Sequence, residues 1–190
     1  MRQYLATMSD ERQDHGTTSV KVVEAYVDYI PTFDFSRMTN HLLSTVPEKY
    51  LEGLGSIVLC NMSGMPRSER RGTLPRKKRR IQRTRVAGLY HYNRAGQKAW
   101  VQVYVDKIAM RPRFIRYIRR LREMLLAAVL YHEIGHHIHA FHPEFREKES
   151  VADKWAGRLL VNHLKLEYPL LYPPLKLLAA IVGRVASRKS

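Results

Sequence analysis

The chain has 190 residues, which makes one domain the default, and it is 45% hydrophobic, enough to build a real core. Lys and Arg number 33 against 17 Asp and Glu, and the resulting charge of +16 implies an acidic partner such as nucleic acid, an anionic membrane surface or an acidic protein. Cys60 is the only cysteine, so an intrachain disulfide and a cysteine-based zinc site are excluded, and a reducing interior such as the cytoplasm fits.

No apolar run reaches the roughly 18 residues of a membrane span, and the N-terminus has no apolar signal core. Residues 1–20 are polar and without period, which predicts a flexible tail ahead of a single domain over residues 21–190. "FDFSRMTNHLLSTVP" predicts a short helix with Asp34 or Ser36 as N-cap and Pro47 as its stop. "GSIVLCN", at 55–61, is an apolar run that predicts a buried strand. Residues 62–85 combine glycines and prolines with ten basic residues between Arg67 and Arg85, which predicts an exposed, mobile loop.

"VAGLYHYN" and "KAWVQVYVDKI" predict two strands joined by a hairpin at "NRAG". Ala99, Val101, Val103 and Val105 fall on one face of the second strand, with Trp100, Gln102 and Tyr104 on the other. After Pro112 the period lengthens. Ile115, Ile118, Leu121, Leu125, Val129, His132 and His136 follow at steps of three or four, which predicts one helix face ending near His142. A second helix after Pro143 places Glu149, Ala152, Ala156, Leu159 and His163 on or near one face. A final amphipathic helix is expected over about Leu175 to Ala186.

The segment "LYHEIGHHIHAFHPEF" holds five of the nine histidines. Within it, "HEIGH" is HExxH. On a helix, His132 and His136 project from one face, one turn apart, and can take two corners of a zinc tetrahedron. Glu133 stands about 100° around the axis, where it can act as general base toward a water that the metal activates. Chance predicts only about 0.02 such matches in a chain of this composition, so the metal reading is preferred over an inert polar patch.

Two residues compete as third ligand. His142 stands ten positions after His132, as in the HExxHxxGxxH pattern of metzincins. Here His139 replaces the glycine that would turn the chain back, and no methionine follows Met124. Glu149, in "ESVAD", lies on the next helix, with Asp153 four residues on, able to accept the second N–H of a ligating histidine. Glu149 is the preferred candidate. His137, His139 and His142 read as exposed residues near the helix end. For His91 and His163, core, surface and transition-state-stabilising roles all remain open.

From about Ala127 to Leu160, "VLYHEIGHHIH" followed by "ESVADKWAGRLL" resembles the gluzincin pattern of HExxH then ExxAD, and is most similar to the minimal zincins of the ImmA/IrrE type. The resemblance implies His132, His136 and Glu149 as ligands of one Zn2+ ion per chain, Glu133 as base, and peptidase activity on a protein or peptide. It also implies a small α+β fold in which a short antiparallel sheet packs beside the metal helix, with two further helices.

The basic segment lies outside that pattern. Arg76, Lys77, Lys78, Arg79, Arg80, Arg83 and Arg85 form a candidate site for nucleic acid or another polyanion, which would also suit a nucleoid or nuclear location. A second reading of the chain is therefore a nucleic-acid-binding protein whose zincin site is inactive or secondary. Arg111, Arg113, Arg116, Arg119, Arg120 and Arg122 add a second cluster at the start of the metal helix. There they oppose the helix dipole unless an anion relieves them.

Overall fold

The structure, a computed structural model, describes residues 20–71, 73–76, 79–82, 86–92, 96–109, 119–141 and 148–170. The expected tail (apart from Val20) and the expected last helix lie outside the described residues, as do His142, Pro143 and Arg111 to Ile118. The fold is α+β. Strand β1 (Lys21–Ala25) leads to helix α1 (Phe35–Ser44) and strand β2 (Leu54–Cys60). The Asp34 carboxylate accepts the Arg37 N–H at 2.7 Å and caps α1, so Asp34, not Ser36, is the N-cap.

Four strands form the main sheet, in the order β1-β2-β6-β5, with β5 (Gly88–His91) and β6 (Ala99–Tyr104) as the expected hairpin. Gly96 beside their connection has φ +82°, a conformation that favours glycine. The sheet is mixed. Only β5–β6 is antiparallel; β1 pairs with β2, and β2 with β6, in parallel. The antiparallel expectation therefore holds for one pairing of three. Parallel pairing needs a crossover, and α1 supplies it between β1 and β2.

The strand expected to run to Ile108 ends at Tyr104, and α3 (Val105–Ala109) follows. Asp106 is the reason. Its buried carboxylate accepts the N–H groups of Met62 at 2.9 Å, Ser63 at 3.0 Å and Lys107 at 3.0 Å, which ties the turn to the chain leaving β2. The basic segment is not simply a loop. It contains the short helix α2 (Arg67–Arg70) and an antiparallel ribbon, β3 (Thr73–Arg76) with β4 (Arg79–Gln82).

Helices α4 (Arg119–Phe141) and α5 (Lys148–Glu167) run antiparallel, with Gly135 against Ala152 at one end and Glu123 near His163 at the other. The core lies between the sheet and α4. Phe35, Leu42, Ile57, Leu59, Val101, Val103, Leu126, Leu130, Tyr131 and Ile134 are all fully buried in it. The expected apolar stripe of α4 is offset. Leu121 is exposed, and Leu125 and Val129 are only partly buried, while the row Leu126, Leu130, Ile134 and Ile138 faces the sheet. His132 and His136 consequently sit at the border of the core rather than within it. No described helix is long and apolar enough to cross a membrane.

Candidate metal centre

α4 presents His132 and His136 one turn apart, with ring centroids 4.8 Å apart and planes at 88°. α5 brings Glu149 to them. Its Oε2 is 3.7 Å from His132 Nε2, and its Oε1 is 3.9 Å from His136 Nε2. One donor atom from each of the three lies within 4.8 Å of the others, a group able to hold a metal ion. Two imidazole nitrogens and a carboxylate oxygen fit a first-row divalent ion. The three side chains are 15 to 24% exposed, so the group is partly shielded but reachable from solvent.

Asp153 stands behind His132, with Oδ1 3.0 Å from Nδ1. The Nδ1–H donates to that carboxylate, which leaves the Nε2 lone pair turned toward Glu149. Burial, and then the neighbouring His132, push the His136 pKa down to about 4, against the opposing pull of Glu149. His136 is thus neutral near pH 7, the form a metal requires.

Two glycines make this geometry possible. At Gly135, within HExxH, a Cβ would stand 2.6 Å from the carbonyl oxygen of Ala152 and 2.8 Å from its Cα. Only a residue without a side chain lets α5 approach closely enough for Glu149 to reach the histidines. At Gly88, the first residue of β5, a Cβ would stand 2.8 Å from both Cγ and Oε1 of Glu133. Glu133 is accordingly buried, 7% exposed, with its carboxylate against an edge strand of the described sheet. The Gly88 contact had no sequence signal beyond a glycine at the head of a strand.

Two of the remaining histidines depart from their sequence reading. His137 and His139 are buried, not exposed helix-end residues. His137 Nε2–H donates to the Glu52 carbonyl at 2.9 Å, and its Nδ1 accepts from the Tyr90 hydroxyl at 3.1 Å. It therefore stitches α4 to β5 and to the chain ahead of β2. His91 stacks on Trp100 with centroids 3.8 Å apart, and its Nε2 lies 3.2 Å from Gln102 Oε1. His163 is 14 residues from Glu149 on one helix, roughly 21 Å along the axis, too far to act at this centre.

Of the expected polyanion site, Arg76, Arg79 and Arg80 lie on the β3–β4 ribbon, with Arg76 paired to Arg79 and Pro75 to Arg80. Lys77, Lys78, Arg83 and Arg85 lie outside the described residues. At the start of α4, two arginines find aromatic partners. Arg122 lies 3.7 Å from the Phe33 ring centroid, and Arg120 lies 5.0 Å from that of Tyr168. Cation–π contacts thus stabilise part of a cluster for which an anion was expected.

Comparison of the chain with protein-family models, curated proteins and solved structures yields no match.

Proposed function

We propose that this chain is a zinc-dependent peptidase of gluzincin type, with His132, His136 and Glu149 holding the ion and Glu133 as general base. The observation that carries this reading is the meeting of the three donors from two helices, with a buried carboxylate next to the first of them in sequence. A zinc ion bound there would lower the pKa of a water and polarise a substrate carbonyl.

The chain's own residues supply the rest. Asp153 fixes the tautomer and orientation of His132. Glu133 takes a proton from the attacking water and returns it to the leaving amine. The strand β5, one of the two edges of the four-stranded sheet among the described residues and touching Glu133 through Gly88, offers main-chain groups to which an extended peptide can add. This supports a protein or peptide substrate over a small molecule.

The Glu133→Gln variant tests the reading. It keeps the shape and removes the basicity. It should retain zinc at the His132–His136 centre and lose hydrolysis of any peptide the wild type cleaves by orders of magnitude. Equal rates in the two proteins would exclude the mechanism.

A second reading draws on a different feature. The β3–β4 ribbon carries Arg76, Arg79 and Arg80 in a chain of charge +16. It supports binding of nucleic acid or another polyanion, with the metal centre secondary to that role.

A further inference from the structure

The sheet has a second face, turned away from α4. Ile57 and Leu59 on β2, and Val101 and Val103 on β6, point into the core, so the alternate residues of each strand point the other way. Strand register sets Lys21, Ser56, Trp100 and His91 in one row across the four strands on this outer face. None of the strand residues that share the face is acidic. The one carboxylate in the four strands, Glu24, pairs in register with Leu59 and so lies on the core side.

Two aromatic rings stand on that face. His91 and Trp100 are direct neighbours on β5 and β6, and their rings stack with centroids 3.8 Å apart and planes at 5°. Adjacent strands are about 4.8 Å apart, so rings this close meet face to face instead of lying flat on the sheet. Polar contacts hold the pair in place. His91 Nε2 lies 3.2 Å from Gln102 Oε1, and Gln102 Nε2–H donates to Cys60 Sγ at 3.2 Å. Both rings are partly exposed. Neither Trp100 nor Val58, its diagonal neighbour on β2, packs into the two buried apolar clusters of the described residues. Burial in a core therefore does not account for a tryptophan at this position.

The basic segment begins and ends at the same face. Cys60 and Tyr104, the last residues of β2 and β6, lie on it and form a small buried cluster with Met62. Met65 and Val86 pack against that cluster. These two residues flank the segment over 67–85, with its ten lysines and arginines and its single glutamate. Cations beside a planar aromatic surface suit a single strand, whose phosphates take the charge and whose unstacked bases take the rings. A duplex keeps its bases stacked inside. An acidic protein would satisfy the charge but gives the stacked rings no role.

We infer that the outer face of the sheet is a platform for a single-stranded nucleic acid. The His91–Trp100 pair stacks a base, while Lys21 and the arginines of the β3–β4 ribbon take phosphates. The inference rests on the polyanion reading above and is independent of the peptidase reading.

Binding of a short oligothymidylate to the full chain at low salt tests it. The wild type should hold the single strand more tightly than the same strand in duplex with oligoadenylate. Trp100→Leu should weaken single-strand binding roughly 5- to 150-fold, the range for loss of one stacked base. It should leave the log–log salt slope unchanged, because no phosphate contact is lost. Trp100→Phe, which keeps a ring, should recover most of the affinity. His91→Ala, a change on an edge strand, should weaken binding in the same way, which keeps the test valid if Trp100→Leu does not fold. In Trp155→Phe, where Trp100 is the only tryptophan left, the strand should quench the emission and polyglutamate should not. A strand bound equally well by wild type, Trp100→Leu and His91→Ala would overturn the platform and leave the polyanion reading standing. Equal binding of duplex and single strand, or equal quenching by polyglutamate, would also overturn it. No retention of any nucleic acid at low salt would remove the polyanion reading and this inference together.

Discussion

Gly135 lies directly on the backbone of Ala152, so close that a Cβ at Gly135 would stand 2.6 Å from the Ala152 carbonyl oxygen. This contact sets the distance between α4 and α5 at the level of the candidate metal centre, one turn from Glu149. In Gly135→Ala, the helix propensity of alanine favours folding by about 1 kcal/mol. The overlap is with backbone, which cannot swing aside, and overpacking of this kind costs about 1–3 kcal/mol. The net effect should be destabilising, and it should also weaken zinc binding as Glu149 is pushed away. Gly157→Ala provides the contrast. It lies on α5 with nothing among the described residues within 4 Å of its Cβ position, so propensity acts alone and stability should rise by up to about 1 kcal/mol. Urea midpoints of the two variants check both signs.

Much of the centre was legible because helical spacing is local. His132 with His136, and Glu149 with Asp153, each lie four residues apart on one helix, so each pair had to share a face. The approach of the two pairs was expected with Glu149 as the preferred third ligand; how close it comes was not legible, because that is set by the contact between Gly135 and the Ala152 backbone. The stripe of α4 was misplaced for a related reason. Leu125 and Val129 continue in step into His132, but Leu126 and Leu130 are equally apolar, and the sheet selects the second row. A site that needs solvent cannot lie on the face that packs the core. The parallel pairings of β2 were also hidden, since they join strands separated by other elements, whereas the β5–β6 hairpin is encoded in one short segment. The burial of His137 depends on Glu52 and Tyr90, more than 40 residues away in sequence, and no local pattern announces it.

The ligand set orders a series of variants. Glu149→Ala should lose zinc at the His132–His136 centre nearly as severely as His132→Ala or His136→Ala. Asp153→Ala removes only the acceptor 3.0 Å from His132 Nδ1 and should cost about 10- to 100-fold in affinity. His142→Ala should be close to neutral. Zinc titration against a competing chelator ranks them. A ranking with His142 above Glu149 would replace the gluzincin ligand set with the other candidate.

The basic segment makes a separate prediction. If the ribbon binds nucleic acid, affinity should fall steeply with salt, and each phosphate contact removed from Arg76, Arg79 or Arg80 should reduce the log–log slope by about 0.7–0.9. Deleting residues 67–85 should abolish retention on DNA or RNA while zinc remains bound at the His132–His136 centre. No retention of the intact chain at low salt would eliminate the polyanion reading.

The buried histidines make stability depend on pH in a stated direction. Burial lowers the pKa of His136, to about 4, and also those of His137 and His163. In the unfolded chain each titrates near 6.5. As pH falls below about 6.5, the unfolded state takes up protons that the folded state refuses, so stability must fall; for His136 the loss continues until about pH 4. Each such group contributes a slope of at most about 1.4 kcal/mol per pH unit. The metal-free protein should therefore show a lower urea midpoint at pH 5 than at pH 7. His136→Gln removes one titrating ring and should flatten the dependence between those values by up to one proton's slope. Zinc should steepen it, because a metal competes with protons for the same nitrogens. A midpoint that stays level or rises from pH 7 to pH 5 in chelator would mean that these rings accept protons inside the folded chain, and the neutral, ligand-ready state assigned to His136 would fall with it.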